Sequence, residues 1–282
     1  DNNGKTLESI FRSFSKENLA QVFFTENKNP DFDFCNNYYR ITDVEVLKSL
    51  LKGFSNCGIV LTEEQKKLNM DVNNIEKVSK LFRYAKSKVD YMVFFRDFLW
   101  SFNSWKTKPF LDWSTGFKPD VIFYVGGNFG FSHNIACFLF KYLKVPLVSY
   151  FTDDYLIYPK SKNLLDSIQR IRMKKFYAET VQNSSLCFAI GSLMAEEYSK
   201  HFSKEFLPIM NSIDKEEYLP YLERQEVVFS YFGGLHLNRW KMLLRLANSH
   251  SIGSLNVYSV EKPSEEILIE FSKANIKYMG AV

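Results

Sequence analysis

The chain is poor in the residues that build stapled or metal-centred domains. Its 282 residues include only four cysteines and four histidines. Cys35, Cys57, Cys137 and Cys187 are scattered, and none forms a CxxC pair, so spacing outlines neither a disulfide framework nor a zinc ribbon. Cys137 and Cys187 lie within apolar runs and read as buried free thiols, which fits a reducing cytoplasm. His201, His236 and His250 lack metal-ligand spacing. No apolar run approaches the length of a membrane span, and no secretory leader opens the sequence. Charge of one sign is also scarce. With 36 Lys and Arg against 32 Asp and Glu, the net charge is +4, short of the dense basic stripe of a nucleic-acid binder. There is no short repeat and no low-complexity tract.

What the chain does have is aromatic mass: 27 Phe and 16 Tyr, with aromatics at 17% overall. That predicts cores built from large flat side chains, in a chain long enough for two domains. Gly4-Lys5-Thr6 resembles the tail of a P-loop, but the glycine that motif needs five residues earlier falls outside the chain. Residues 19–24 read as a strand, and residues 41–51 as a short strand and a helix. Asp31-Phe32-Asp33 has the spacing of a cation-binding carboxylate pair, yet lies among Asn and Pro and reads as a solvated loop. Residues 62–74 read as a surface loop with a helical start. Residues 75–102 supply one or two amphipathic helices with Phe94, Phe98, Leu99 and Phe102 as a core stripe. Residues 105–113 predict a further helix, which Pro119 ends.

From there strands and helices alternate. Residues 121–125 form an apolar strand followed by Gly126-Gly127-Asn128 and a helix over 132–143. Residues 146–151 form the next strand, ending in Thr152-Asp153-Asp154. A helix over 163–182, a strand over 186–190 closed by Gly191-Ser192, and a helix over 193–201 lead to Leu207-Pro208-Ile209-Met210-Asn211-Ser212-Ile213-Asp214. This alternation predicts a parallel sheet covered on both faces, with ligands beyond the carboxyl ends of its strands. His133 reads either as a donor or acceptor contact or as a packed histidine. Asp153 and Asp154 read either as acceptor-binding or basic groups or as a helix cap with a solvated neighbour. Arg170, Arg172, Lys174 and Lys175 share a helix with Leu164, Ile168 and Ile171. A solvated face is the plain reading of that cluster, and an anionic membrane holding a lipid-linked acceptor is the other.

The charged, proline-bearing stretch 215–226 reads as a linker between a domain over 1–214 and a second over 227–282. The second opens with Val227-Val228-Phe229-Ser230-Tyr231-Phe232, whose apolar run predicts a strand buried on both faces. Gly233 and Gly234 end it, allowing a tight turn or a close ligand approach. Asn238 then caps a helix whose first turn carries Arg239 and Lys241, a poor choice for the dipole but suited to an anion. That is the pattern of a diphosphate site; an ordinary strand–turn–helix corner is the alternative. Strands over 255–260 and 276–278 flank a helix over 264–274. Both ends read as cut, with the second domain truncated at its C-terminal end.

Three segments together resemble glycosyltransferases of the GT-B fold, similar to family 4-like enzymes of bacterial surface-polysaccharide synthesis. Residues 207–214 resemble the family's crossover, with Ser212 where glycine is usual. Phe232-Gly233-Gly234-Leu235 through Lys241 resembles its donor loop, with Lys241 at the family's lysine and Leu235 at its arginine, so that Arg239 is the substitute cation. Residues 118–154 resemble its central strand–helix–strand, with Asn128 near the position of the loop histidine. The resemblance implies an α/β protein of two Rossmann-like doubly wound domains. It implies a cytoplasmic transferase, free or on the cytosolic membrane face, that moves a sugar from a nucleotide-sugar to a glycan or lipid-linked acceptor. The resemblance implies retaining, metal-free transfer, with no cofactor beyond the donor. Asn128, His133, Asp153 and Asp154 fall on the catalytic side, and Asn211, Gly233, Gly234, Arg239 and Lys241 on the donor side. A catalytically silent GT-B-like scaffold and a metal-dependent GT-A transferase using Asp31 and Asp33 are the other readings.

Overall fold

The computed structural model describes residues 3–25, 30–52, 57–62, 89–157, 164–211, 227–249 and 254–281. The chain forms two compact units, Asp1–Ile213 and Asp214–Val282, in an α/β architecture of parallel and mixed sheets. The expected loop over 62–74 beyond its first residue, residues 75–88 of the expected helical stretch 75–102, and the linker over 215–226 lie outside the described residues.

The first unit begins with α1 (Asn3–Phe11), so Gly4-Lys5-Thr6 is helical. A three-stranded mixed sheet follows, in the order β1 (Ala20–Phe23), β2 (Asn37–Arg40), β3 (Ile59–Leu61), with β1/β2 parallel and β2/β3 antiparallel. Between β2 and β3 runs α2 (Asp43–Lys52). A capping box fixes its start: Glu45 Oε2 accepts the Thr42 N–H at 2.7 Å, and the Glu45 N–H donates to Thr42 Oγ1 at 3.3 Å.

Helix α3 (Val89–Ser101) corrects the expected aromatic stripe. Leu99 is buried, but Phe98 and Phe102 are half exposed and pack edge-on against each other at 5.2 Å. The core face instead carries Leu99 and Trp100. Trp100 stacks on Phe131 at 4.1 Å and donates from Nε1 to Asp43 Oδ1 at 2.7 Å. The helix is aromatic on several sides, so periodicity alone did not mark the buried one. Helix α4 (Lys108–Phe117) follows, with Phe110 in the same core.

The second sheet is fully parallel, in the order β4 (Ile122–Gly126), β5 (Leu147–Phe151), β6 (Ser184–Ile190), β7 (Leu207–Ile209). Its crossovers are α5 (Gly130–Leu143), α6 (Leu164–Asn183) and α7 (Ser192–Phe202). One face packs Phe151, Cys187 and Ala189 against Met173, Tyr177, Ala195 and Tyr198 of the crossover helices. On the other, Phe11 of α1 meets Phe123 at 4.9 Å, and Phe123 meets Tyr150 at 6.2 Å. All four cysteines are free and buried.

The second unit is a three-stranded parallel sheet, in the order β10 (Ile276–Gly280), β9 (Ser254–Tyr258), β8 (Val228–Phe232). Helices α8 (Arg239–Ser249) and α9 (Glu265–Lys273) connect the strands. Leu243, Leu255, Val257, Phe271 and Ile276 are its core. Strand β8 is at the sheet edge, and its Phe229 and Phe232 are 44% and 66% exposed, so it is not the doubly buried strand its composition suggests. An apolar run reports parallel pairing but not edge position, which long-range order decides. In each of the three described sheets the strands follow one another in chain order. The reversal of order that double winding needs is therefore in none of them.

Candidate functional site

Parallel strands direct all their carboxyl ends to one edge. In the first unit that edge carries Gly126-Gly127-Asn128 after β4, Thr152-Asp153-Asp154 after β5, Gly191 after β6 and Asn211 after β7. These groups do not have equal freedom. Asp154 Oδ1 accepts the N–H groups of Leu156 and Ile157 at 3.0 and 2.9 Å and the Tyr198 hydroxyl at 3.0 Å, which makes it the organiser of its own loop. Asp153 is exposed and holds only long contacts, at 3.4 Å, from the Thr152 and Tyr155 hydroxyls. Of the two carboxylates, Asp153 is the one that can meet a ligand. Asn211 is exposed and Asn128 half-buried.

His133 is a core residue, which corrects its place among ligand contacts. It is 1% exposed, and its Nδ1 lies 2.8 Å from Thr180 Oγ1 and its Nε2 3.3 Å from the Gly127 carbonyl. A carbonyl can only accept, so Nε2 carries the proton and Nδ1 accepts from the threonine hydroxyl. The ring sits between Tyr124 and Tyr177, at 5.0 and 4.5 Å. Burial pushes its pKa down to about 3. It is a neutral brace holding the glycine turn to α6.

The N-terminus of α5 behind that turn has backbone donors of the kind that can receive an anion. It is already filled. No side chain of its own caps it; instead Asp97 of α3 accepts the Phe131 N–H at 3.2 Å and the Gln169 amide at 2.5 Å. Asp97 is buried, and burial pushes its carboxyl above the usual range, while these bonds pull it back. Sequence reasoning missed it, although a lone acid in Val93-Phe94-Phe95-Arg96-Asp97-Phe98-Leu99-Trp100 is a signal: an acid among so many aromatics needs a partner.

The second unit has its own glycine turn. Phe232 of β8 stacks on Tyr258 of β9 at 4.7 Å, and the Gly233 N–H donates to the Tyr258 carbonyl at 3.1 Å. Tyr231 Oη donates to the Gly234 carbonyl at 2.9 Å. Across the turn, the Ser259 N–H is held by the Gly280 carbonyl at 2.7 Å, and the Glu261 N–H by Ser259 Oγ at 3.2 Å. These ties bring the Glu261 carboxylate over the turn. Its Oε2 accepts the Leu235 N–H at 2.7 Å, and its Oε1 lies 2.8 Å from His236 Nδ1. The His236 bond, helped by the backbone N–H groups, holds the Glu261 pKa below the ordinary value.

A shallow hollow of about 300 Å³ opens here, lined by Leu235, His236, Asn238, Trp240, Glu261 and Lys262 among others. A Cβ on Gly234 would stand 2.5 Å from His236 Nδ1 and 3.3 Å from Glu261 Oε1, and one on Gly233 would stand 2.9 Å from Tyr231 Oη. The room these glycines leave is filled by the chain's own side chains. Arg239 and Lys241 are in the first turn of α8 and exposed, but they do not line the hollow. The Lys241 ammonium sits 5.3 Å over the ring of Trp240. Leu235 turns its side chain into the core. Asn238 does not take the extended backbone of a capping residue: with Leu237 it is left-handed, at φ 59° and 58°. Glu261, His236 and Lys262 are the site groups that sequence reasoning missed. Glu261 follows strand β9 as Asp153 follows β5, and that topological place was the available clue.

Among the described residues no group of three or more His, Cys, Asp or Glu is placed to hold a metal ion. Asp31 Oδ1 accepts the Asp33 N–H at 2.9 Å, so one carboxylate of that pair is folded onto its own turn. Among the described residues, no helix is long and apolar enough to cross a membrane. No protein-family model and no curated protein sequence matches the chain.

Proposed function

We propose that the chain is a GT-B-type glycosyltransferase that moves a sugar from a nucleotide-sugar to a glycan or lipid-linked acceptor. The observation that carries this reading is the Leu235 N–H held by a carboxylate at 2.7 Å. The glycine turn of the second unit is built to present a backbone donor to an anion. A donor phosphate oxygen has the same charge and acceptor chemistry as Glu261, and takes its place. As the bond from sugar C1 to the diphosphate breaks, negative charge grows on the leaving oxygens. The turn N–H groups and Lys262, which lines the hollow, stabilise that charge without a metal, and Arg239 and Lys241 on the neighbouring first turn of α8 add to the positive field from outside it. Asn128, Asp153 and Asn211 meet the substrates at the carboxyl edge of the first unit, and Asp154 holds the loop that carries Asp153. Transfer is retaining, and the protein works in the cytoplasm.

One observation favours a catalytically silent scaffold as the second reading. Leu235 is buried at 7% exposure, and Glu261 puts a negative charge where a donor phosphate would sit. Nucleotide-sugar hydrolysis, with and without EDTA, separates the readings. The transferase reading expects turnover that EDTA leaves intact, that Lys262→Ala lowers about 100-fold, and that Lys241→Ala, outside the hollow, lowers less. Absence of turnover with every donor sugar supports the scaffold. Turnover abolished by EDTA returns Asp31 and Asp33 to consideration.

A further inference from the structure

We propose that His236 is a ligand-contacting residue of the second unit's glycine turn, and that as an imidazolium it selects a dianionic phosphate end over a monoanionic ester. The inference rests on the anion site of the proposed function and adds the group that reads the ligand's charge. Glu261 shows how an oxyanion sits on the turn. One of its oxygens accepts the Leu235 N–H at 2.7 Å, and the other lies 2.8 Å from His236 Nδ1. A carboxylate oxygen only accepts, so Nδ1 carries a proton and points it at the place the ligand takes. A phosphate offers the same pair of neighbouring oxygens and, in place of Glu261, receives both donors at once. The turn holds both donors in position: the Leu235 side chain is anchored in the core, and the His236 carbonyl accepts the Arg239 N–H at 3.3 Å.

The charges around the ring decide what the ligand must be. From the loop after β9 the half-exposed imidazole meets Glu261, and Lys262 lines the same hollow. Arg239 and Lys241 are on the first turn of α8, and Glu265 and Glu266 open α9. Glu261, whose carboxyl the His236 bond holds below the ordinary range, keeps its charge between pH 8 and pH 6. Histidine is the side chain that gains charge over that span. A monoanion that displaces Glu261 exchanges one negative charge for another. A dianion sets one more negative charge against the ring, so the ring holds its proton more firmly with the ligand than without it. By linkage, dianion binding takes up a proton and strengthens as pH falls. In a nucleotide-sugar the sugar-bearing phosphate is a monoanion. When its bond to sugar C1 breaks, the electron pair stays on the phosphate oxygen and that phosphate becomes a dianion. The imidazolium keeps its proton and meets charge that exists only as the bond goes, the kind of interaction that favours the transition state over the bound donor.

Sulfate and methyl sulfate stay dianion and monoanion from pH 8 to pH 6, so they separate titration of the protein from titration of the ligand. The test is NMR titration of the whole chain with each salt at the two pH values and constant ionic strength, read at the Leu235 amide and the His236 ring. Sulfate affinity should rise about fivefold from pH 8 to pH 6, and methyl sulfate affinity less than about twofold. With sulfate bound, the His236 ring should keep its proton to higher pH. His236→Asn keeps a donor at the place of Nδ1 without a titrating charge, and its sulfate affinity should differ less than about twofold between the two pH values. If Glu261 keeps both salts out of the wild type, Glu261→Gln carries the same comparison, alone and combined with His236→Asn. A sulfate affinity equal at both pH values, or a rise shared by methyl sulfate or by His236→Asn, would overturn the role of His236 and leave the anion site standing. No sulfate binding by the wild type or by Glu261→Gln would overturn both. Nucleotide-sugar hydrolysis alongside sulfate binding that ignores pH would sink this inference alone.

Discussion

His133 makes acid stability a quantitative test of the first unit. In the unfolded chain its imidazole titrates near 6.5; in the fold, burial holds it at about 3. Between those values the unfolded chain binds a proton that the folded chain refuses. Stability from this group is therefore complete above about pH 6.5 and is lost as pH falls towards 3. At pH 5 the folded ring is still neutral while the unfolded ring is almost fully charged, so the loss relative to pH 8 is about 2 kcal/mol. His133→Phe removes the titration and the two ring bonds. The Gly127 carbonyl keeps the Tyr177 hydroxyl at 3.2 Å, and Thr180 Oγ1 keeps Cys137 Sγ at 3.5 Å. The variant should therefore be weaker at pH 8 by about 1–3 kcal/mol. At pH 5 that deficit should shrink by about 2 kcal/mol. Urea unfolding at the two pH values, followed by Trp100, Trp105 and Trp113, all in the first unit, reads the difference directly, and every other titrating group cancels in the comparison. A deficit unchanged between pH 8 and pH 5 would refute the buried, neutral brace, as would a His133 ring signal that moves over that range in solution NMR.

Two glycines should respond to alanine by very different amounts. Gly58 is left-handed at φ 86°, with a Cβ 2.4 Å from Tyr39 Cε1 and 3.0 Å from the Arg40 carbonyl, so Gly58→Ala should cost about 2 kcal/mol or more in thermal or urea unfolding. Gly234→Ala meets only His236 and Glu261, both half-exposed and able to swing away, and should cost less than about 1 kcal/mol. Glu261→Ala removes a negative charge from the glycine turn and frees the Leu235 N–H. Calorimetric affinity for a nucleoside diphosphate should then rise about fivefold, and an unchanged or weaker affinity would count against an anion site there.

The strand–helix alternation beyond Pro119 was legible because its signals are local. Apolar runs such as Val121-Ile122-Phe123-Tyr124-Val125 mark parallel strands, and Gly126-Gly127 and Gly191 punctuate them; the observed elements start and stop within two residues of the expected ones from α5 to α7. What remained hidden depends on contacts distant in sequence. Strand β8 has the composition of a central strand, yet among the described residues only β9 pairs with it. Phe98 and Phe102 have the spacing of a core stripe, but Trp100 and Leu99 take that face because Phe131 and Asp43 meet them there. His133 is sealed by Thr180, 47 residues away. No local window contains such a partner.

The two glycine turns carry the same lesson about function. From sequence, each is a strand, a pair of small residues and a helix, the arrangement that receives phosphate elsewhere. In the fold, a backbone donor behind each turn is already matched by a carboxylate from another element: Phe131 by Asp97, and Leu235 by Glu261. Exposure then separates them. Asp97 is 3% exposed and also bound to Gln169, so a ligand taking its place would strand a buried charge and an amide. That turn is closed, and its carboxylate is structural. Glu261 is on the surface, with its side chain 42% exposed and its partner His236 at 54%, so water can solvate the carboxylate when an anion displaces it. A glycine-rich junction is thus a donor looking for an acceptor, and the burial of the acceptor it finds decides whether a ligand can take over. By that criterion the junction of the second unit is the one that remains open to chemistry.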